Sequence, residues 1–109
     1  MKTQISPEDL KLVAEAIFSK AQIRKLYGYS VVEYFDDTDH WVSWNPIKNA
    51  EQALLVLKWL RKETWISITN NPEHEELLVE FGNRGELEIN HKDFKTALVL
   101  AAIEYIKNK

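Results

Sequence analysis

Apolar positions recur along this chain with two different periods, and each change of period marks a new element. Leu10, Val13, Ala14, Ile17 and Ala21 fall three or four residues apart, the spacing of one helix face. Ser6-Pro7-Glu8-Asp9 precedes them with an N-cap residue, a proline tolerated in the first turn and two acids facing the positive end of the helix dipole. The pattern predicts a first helix whose last turn holds Arg24 and Lys25 and whose left-handed C-cap is Gly28. On that reading Lys20, Arg24 and Lys25 compensate the dipole and are not a phosphate contact.

From Tyr29 the composition turns β-branched and aromatic. Tyr29 to Phe35 and the short HWVSW segment, His40 to Trp44, read as two strands joined by a turn of Asp and Thr residues, a hairpin. Asn45-Pro46 ends the second strand, and Asn49 caps a helix expected to run to about Arg61, with Gln52 placed for a capping box. Ala53, Val56, Leu57 and Leu60 form its inner stripe; Leu55 and Trp59 point well away from it, so the apolar arc is wider than a one-sided surface helix needs.

Thr64 to Thr69, Glu76 to Phe81 and Glu86 to Ile89 alternate as strands of an antiparallel meander, with turns at Asn70-Asn71-Pro72 and at Gly82 to Gly85. Glu80, Glu86 and Glu88 are expected to make one side of that sheet acidic. A last helix from about Asp93 to Lys107 is apolar nearly all round and has to be buried on two sides. The expected architecture is α+β, a mainly antiparallel β-sheet covered by three helices in the order α-ββ-α-βββ-α, resembling an α/β/α sandwich, with no internal repeat in the residues.

Composition narrows the function classes. The chain has 109 residues, a size that suits one domain spanning 1–109. It has no cysteine, so disulfides, thiol nucleophiles and zinc-thiolate sites are excluded, and a cytoplasmic setting is expected. Glu8, Asp9, Lys11 and Glu15 interrupt the N-terminal segment, which therefore does not read as a signal peptide. The longest apolar run, Ala97 to Ile103, is far short of the about 20 residues a membrane span needs. A net charge of −3 argues against a nucleic-acid or membrane partner, and is too small for an acidic DNA mimic.

Trp44-Asn45-Pro46, followed by the Ala- and Leu-rich helix and closed by the Ala97 to Ile103 stretch, resembles a pattern in small phage- and prophage-encoded proteins of α/β/α-sandwich fold. The resemblance covers roughly Leu10 to Ile106 and is carried by core-packing residues. It implies a fold and an origin; proteins of that kind generally have no assigned biochemical role.

Candidate chemistry is sparse. Asp37, Asp39 and His40 are metal-ligand types, and Tyr29 and Tyr34 bring hydroxyls close in sequence, but neighbours on a strand point to opposite faces and a short turn seldom gathers three ligands. His74 and His91 have no metal-binding spacing. No Gly-rich phosphate loop or nucleophile elbow is present, so no catalytic residue and no cofactor is assigned. The stronger signal is aromatic. Trp41, Trp44, Leu55 and Trp59 are the interaction candidates, for a protein partner or a homo-oligomer such as a dimer; Trp59 and Leu55 packing inside the fold is the structural alternative. The expected function is thus a small non-catalytic accessory domain acting by protein binding, with a small-molecule or metal site at the first hairpin as the rival.

Overall fold

In the computed structural model the residues described are 5–71, 73 and 75–109. The readings placed on Met1 to Gln4, Pro72 and His74 lie outside them. The chain divides into two compact units, Met1–Asn45 and Pro46–Lys109.

The first unit contains α1 (Pro7–Phe18), β1 (Ala21–Leu26), β2 (Tyr29–Phe35) and β3 (Trp41–Ser43). Ser6 caps α1 as expected, its hydroxyl accepting from the Asp9 amide at 3.1 Å. The helix nevertheless stops at Phe18, where Ser19 takes a φ of 74° and its N–H closes on the Glu15 carbonyl. Residues Ala21 to Leu26, expected as the tail of that helix, are instead a strand paired antiparallel with β2 along its whole length. The correction has a physical cause. Ala21 happens to continue the helical spacing, whereas what holds the strand is cross-strand: Gln22 Nε2 and Arg24 Nη2 donate to the Glu33 carboxylate at 2.9 and 3.1 Å. Arg24 is therefore an ion-pair partner and Lys20 lies over the Phe35 ring at 5.5 Å, so neither serves a helix dipole. Gly28 has the expected positive φ, 76°, but uses it in the two-residue Tyr27-Gly28 turn between β1 and β2.

The second unit contains α2 (Ala50–Glu63), β4 (Ile66–Asn71), β5 (Glu76–Phe81), β6 (Leu87–His91) and α3 (Phe94–Lys107). Both helix starts follow their sequence signals. Asn49 Oδ1 accepts from the Gln52 amide at 3.1 Å, and Asp93 Oδ2 accepts from the Thr96 amide and hydroxyl at 2.9 and 2.7 Å. Those two bonds hold the Asp93 carboxyl below the usual carboxylate range. His91 serves the same cap, its Nδ1 accepting from the Asp93 amide at 2.9 Å.

The fold is α+β, with three helices and two three-stranded antiparallel sheets, β1-β2-β3 and β4-β5-β6, where a single mainly antiparallel sheet was expected. With β1 added, a helix followed by a three-stranded meander occurs twice, a repeat of element order that the residues do not display. The packing does not repeat: α1 lies on its own meander, whereas in the second unit α3 covers β5 and β6 and α2 packs on α3.

That arrangement accounts for the all-round apolar character of α3. The sheet takes one side and α2 another, burying Ala97, Leu98, Val99, Ala101, Ala102 and Ile103. Val79 and Phe81 of β5 and Ala53, Val56 and Leu60 of α2 complete this core. On the opposite sheet face Glu80 and Glu88 stand directly across from each other as a like-charge pair, whereas Glu86, expected beside them in the strand, lies in the turn before β6 and accepts from the Arg84 amide at 2.9 Å. Such pairs destabilise an antiparallel sheet. Glu88→Lys, at an exposed position, is therefore expected to raise stability by about 0.2–1 kcal/mol, read as a higher denaturation midpoint in urea.

Candidate functional site

Strand pairing sorts the first sheet into two faces. Ala21, Ile23, Val32, Tyr34, Val42 and the following Trp44 share one, and α1 covers it. Phe18 at the end of α1 stacks on Tyr34 with ring centroids 3.8 Å apart, and Trp44 meets both rings edge-on at 5.3 and 5.6 Å. Trp44 is 2 % exposed. Expected as an interaction candidate, it is a core residue of this unit instead, since its own unit supplies the rings that enclose it.

The other face is built in rows across the strands. Leu26 stands opposite Tyr29, Arg24 opposite Val31, Gln22 and Ser43 flank Glu33, and Phe35 stands opposite Trp41. Among the described residues no helix of this unit covers it, because α1 occupies the reverse side. Large side chains are accordingly exposed at both ends: Leu26 (37 %), Tyr29 (62 %) and Trp41 (43 %), with Tyr27 at the hairpin tip fully in solvent. Trp41 rests on Phe35 with centroids 5.1 Å apart, which fixes its ring while leaving the outer side open. In the centre Glu33 is buried beneath Gln22 and Arg24, so the middle of the face is a satisfied polar bridge between two apolar ends.

The charges on this sheet are sorted as well. Arg24 and Lys25 lie beside the β1–β2 turn, and Asp36, Asp37 and Asp39 lie in the β2–β3 turn at the opposite end of β2. The organiser of that turn is Asp36, which the sequence reading passed over. Its Oδ1 accepts from the Thr38 amide and hydroxyl and from the His40 amide at 2.9, 2.8 and 3.0 Å, while its own amide donates to the His40 carbonyl at 2.9 Å. The His40 amide, and then the Thr38 hydroxyl, hold the Asp36 carboxyl below its ordinary range. The Asp-x-Thr spacing at a strand end was the available signal. With the Thr38 proton on Asp36, the hydroxyl accepts from His40 Nδ1–H at 2.9 Å, which commits that histidine to the turn.

Asp37 and Asp39 are exposed, and Asp39 takes a φ of 62° that aspartate tolerates. Among the described residues no three His, Asp or Glu side chains gather where a metal ion could bind. Beside the turn, Ile17, Phe18, Tyr34, Phe35, Asp36 and Asp37 line a cleft of about 340 Å³. Burial, and after it the charge of Asp36, pushes the Tyr34 phenol above its usual pKa. Tyr29, the other hydroxyl considered for a ligand site, lies at the far end of β2 from this cleft.

The remaining two candidates belong to the second unit. Trp59 is half-buried and meets Tyr105 of α3 edge-on at 5.8 Å, and Leu55 is half-buried. Packing of α2 on α3 thus accounts for much of the wide apolar arc, while Leu54, one residue earlier, is the more exposed at 50 %. Among the described residues no helix is long and apolar enough to cross a membrane. No family model, curated protein or solved structure matches this chain.

Proposed function

We propose that this chain is a small non-catalytic interaction domain, a cytoplasmic accessory protein of phage or prophage type, and that its contact surface is the outer face of β1-β2-β3. The observation that carries the reading is the set Leu26, Tyr27, Tyr29 and Trp41, four large side chains exposed on or beside one sheet face that, among the described residues, no helix of its unit covers. Aromatic side chains standing in water are costly to a monomer and are the residue types that dominate interface energetics. This face takes the role first assigned to Trp59 and Leu55. The phage-type origin rests on the resemblance at Trp44-Asn45-Pro46 and Ala97 to Ile103 alone.

The test is the double substitution Tyr29→Ser with Trp41→Ser. Tyr29 is 62 % and Trp41 43 % exposed, so folding is expected to survive, with a loss of no more than about 1 kcal/mol at each site. Association, with a partner protein or with a second copy, is expected to weaken at least about thirtyfold, as removal of an interface anchor does. Unchanged association in sedimentation and in partner titrations would refute the assignment. A rival reading, a small-ligand site, is favoured by the cleft that brings Tyr34, Asp36 and Asp37 together. It predicts the reverse outcome: a thermal shift with a small molecule, abolished by Asp37→Asn and untouched at Tyr29 and Trp41.

A further inference from the structure

We infer that copies of this chain associate head to tail through the second unit, the outward stripe of α2 on one copy lying on the outer face of β5 and β6 on the next. The contact is separate from the outer face of β1-β2-β3 and uses none of its residues.

Two features of this unit have no reason in its own packing. Glu80 and Glu88 oppose each other on the sheet face that α3 does not cover, and no position sharing that face is basic. Among the described residues neither forms an ion pair. On α2, Leu54, Lys58, Arg61 and Lys62 recur at three- and four-residue steps and are all exposed, on the side turned away from buried Ala53, Val56 and Leu60. Leu54 is 50 % exposed, and the three cations likewise have no ion-pair partner among the described residues. Arg61 and Lys62 lie in the last turn, where they suit the helix dipole. Lys58, a turn earlier, and Leu54 have no such role.

The two sets match in kind and in spacing. Residues opposed across antiparallel strands hold their Cβ atoms about 5 Å apart, and helix neighbours three or four residues apart hold theirs about 5–6 Å apart. The two carboxylates therefore meet two of the three cations at once. Lys58, Arg61 and Lys62 border one shallow hollow of about 330 Å³, which receives the acidic pair. Leu78 precedes Glu80 on the same sheet face by roughly 7 Å, and Leu54 precedes Lys58 by about 6 Å, one helical turn. A single placement thus sets acids on cations and Leu78 on Leu54. The acids of α2 stand clear of this stripe: Glu51 is in the first turn, about 10 Å before Lys58, and Glu63 pairs with Lys109.

The contact also relieves the repulsion that each copy carries alone between Glu80 and Glu88. It is heterologous, because the sheet takes one side of α3 and α2 another, so each copy offers its two faces to different neighbours. Such a contact extends into a chain of copies. From Leu54 to Lys62 the stripe is only about 12 Å long, and its area falls far below the about 800 Å² per partner of a standard stable interface. Association is accordingly weak, concentration-dependent and sensitive to salt.

The experiment is a charge exchange read by sedimentation equilibrium at low salt, from about 10 µM to about 1 mM. The wild-type chain is expected to reach masses above that of a dimer, and to lose them at about 0.5 M salt. Lys58→Glu with Arg61→Glu makes both faces acidic, and Glu80→Lys with Glu88→Lys makes both basic. Each pair is expected to weaken association at least about tenfold. An equimolar mixture of the two, and a single chain carrying all four substitutions, are each expected to recover to within about threefold of wild type. Far-UV circular dichroism checks that every variant is folded, and recovery in either the mixture or the fourfold chain supports the contact. A wild-type chain monomeric to about 1 mM, a mass that stops at the dimer, paired variants that associate as wild type does, or recovery in neither case overturns it. Tyr29→Ser with Trp41→Ser leaves this assembly unchanged. If that double variant abolishes binding of a partner while the charge variants change nothing, the surface on the first unit stands and the head-to-tail contact falls; the reverse pattern leaves the contact and removes the surface.

Discussion

Trp44→Ala is expected to destabilise the first unit by about 3–5 kcal/mol, against total stabilities of about 5–15 kcal/mol for domains of this size. The indole is 2 % exposed and holds two contacts at once, edge-on to Phe18 from α1 and to Tyr34 from β2. Its removal leaves a cavity where helix and sheet meet. Trp44→Phe should cost distinctly less. The indole Nε1 has no hydrogen-bond partner among the described residues, so phenylalanine loses volume but also relieves a buried polar group that desolvation penalises by about 1–3 kcal/mol. Trp41→Ala, three residues earlier and 43 % exposed, should change stability by about 1 kcal/mol or less. Urea denaturation of the three variants, followed by far-UV circular dichroism, gives the ranking directly. Equal costs at Trp41 and Trp44 would contradict the face assignment on which the contact surface depends.

That contrast also marks how far the sequence could be read. Residues 41 and 44 differ by an odd number, so a continuous extended segment has to send them to opposite faces. The information was local, and grouping the tryptophans by type concealed it. Helix starts were legible for the same local reason: Ser6, Asn49 and Asp93 each announce a cap whose acceptor bonds an amide three residues on. The β4-β5-β6 meander was legible because its alternation is regular, although its first strand runs two residues later than expected: Thr64 ends α2, and Asn70 and Asn71, expected in the turn, are paired in β4 with Leu77 and Glu76.

β1 was not legible, because its stability is not local. Ala21 to Leu26 carries residues compatible with a helix end, and only pairing with β2, including two bonds onto Glu33, decides otherwise. Missing that strand also hid the Tyr27-Gly28 turn and with it the exposed end of the proposed surface. The arc of α2 was read with the right width, but its neighbour could not be named from α2 alone. Tyr105 lies 46 residues after Trp59 in the chain, and a helical periodicity carries no information about so distant a partner.

The second unit offers a prediction of comparable size. Phe81 lies at the end of β5, opposite Ile66 on one side and Leu87 on the other, beneath α3 and wholly buried. Phe81→Ala is expected to cost about 3–5 kcal/mol, and Phe81→Leu, which keeps most of the volume, about 1.5 kcal/mol or less. With a slope of about 1–1.5 kcal/mol per molar in urea, the alanine variant should unfold at least about 2 M earlier than the parent chain. The measurement tests register as well as packing. Side chains on β5 alternate, so Phe81 and Val79 point to the α3 side while Glu80 points away beside Glu88. A pairing slipped by one residue would expose the phenyl ring and bury Glu80 in its place, and Phe81→Ala would then cost little. A large loss at Phe81, with no more than the small gain at Glu80→Ala that relief of the Glu80–Glu88 pair gives, is what a sheet held in this register by α3 must give.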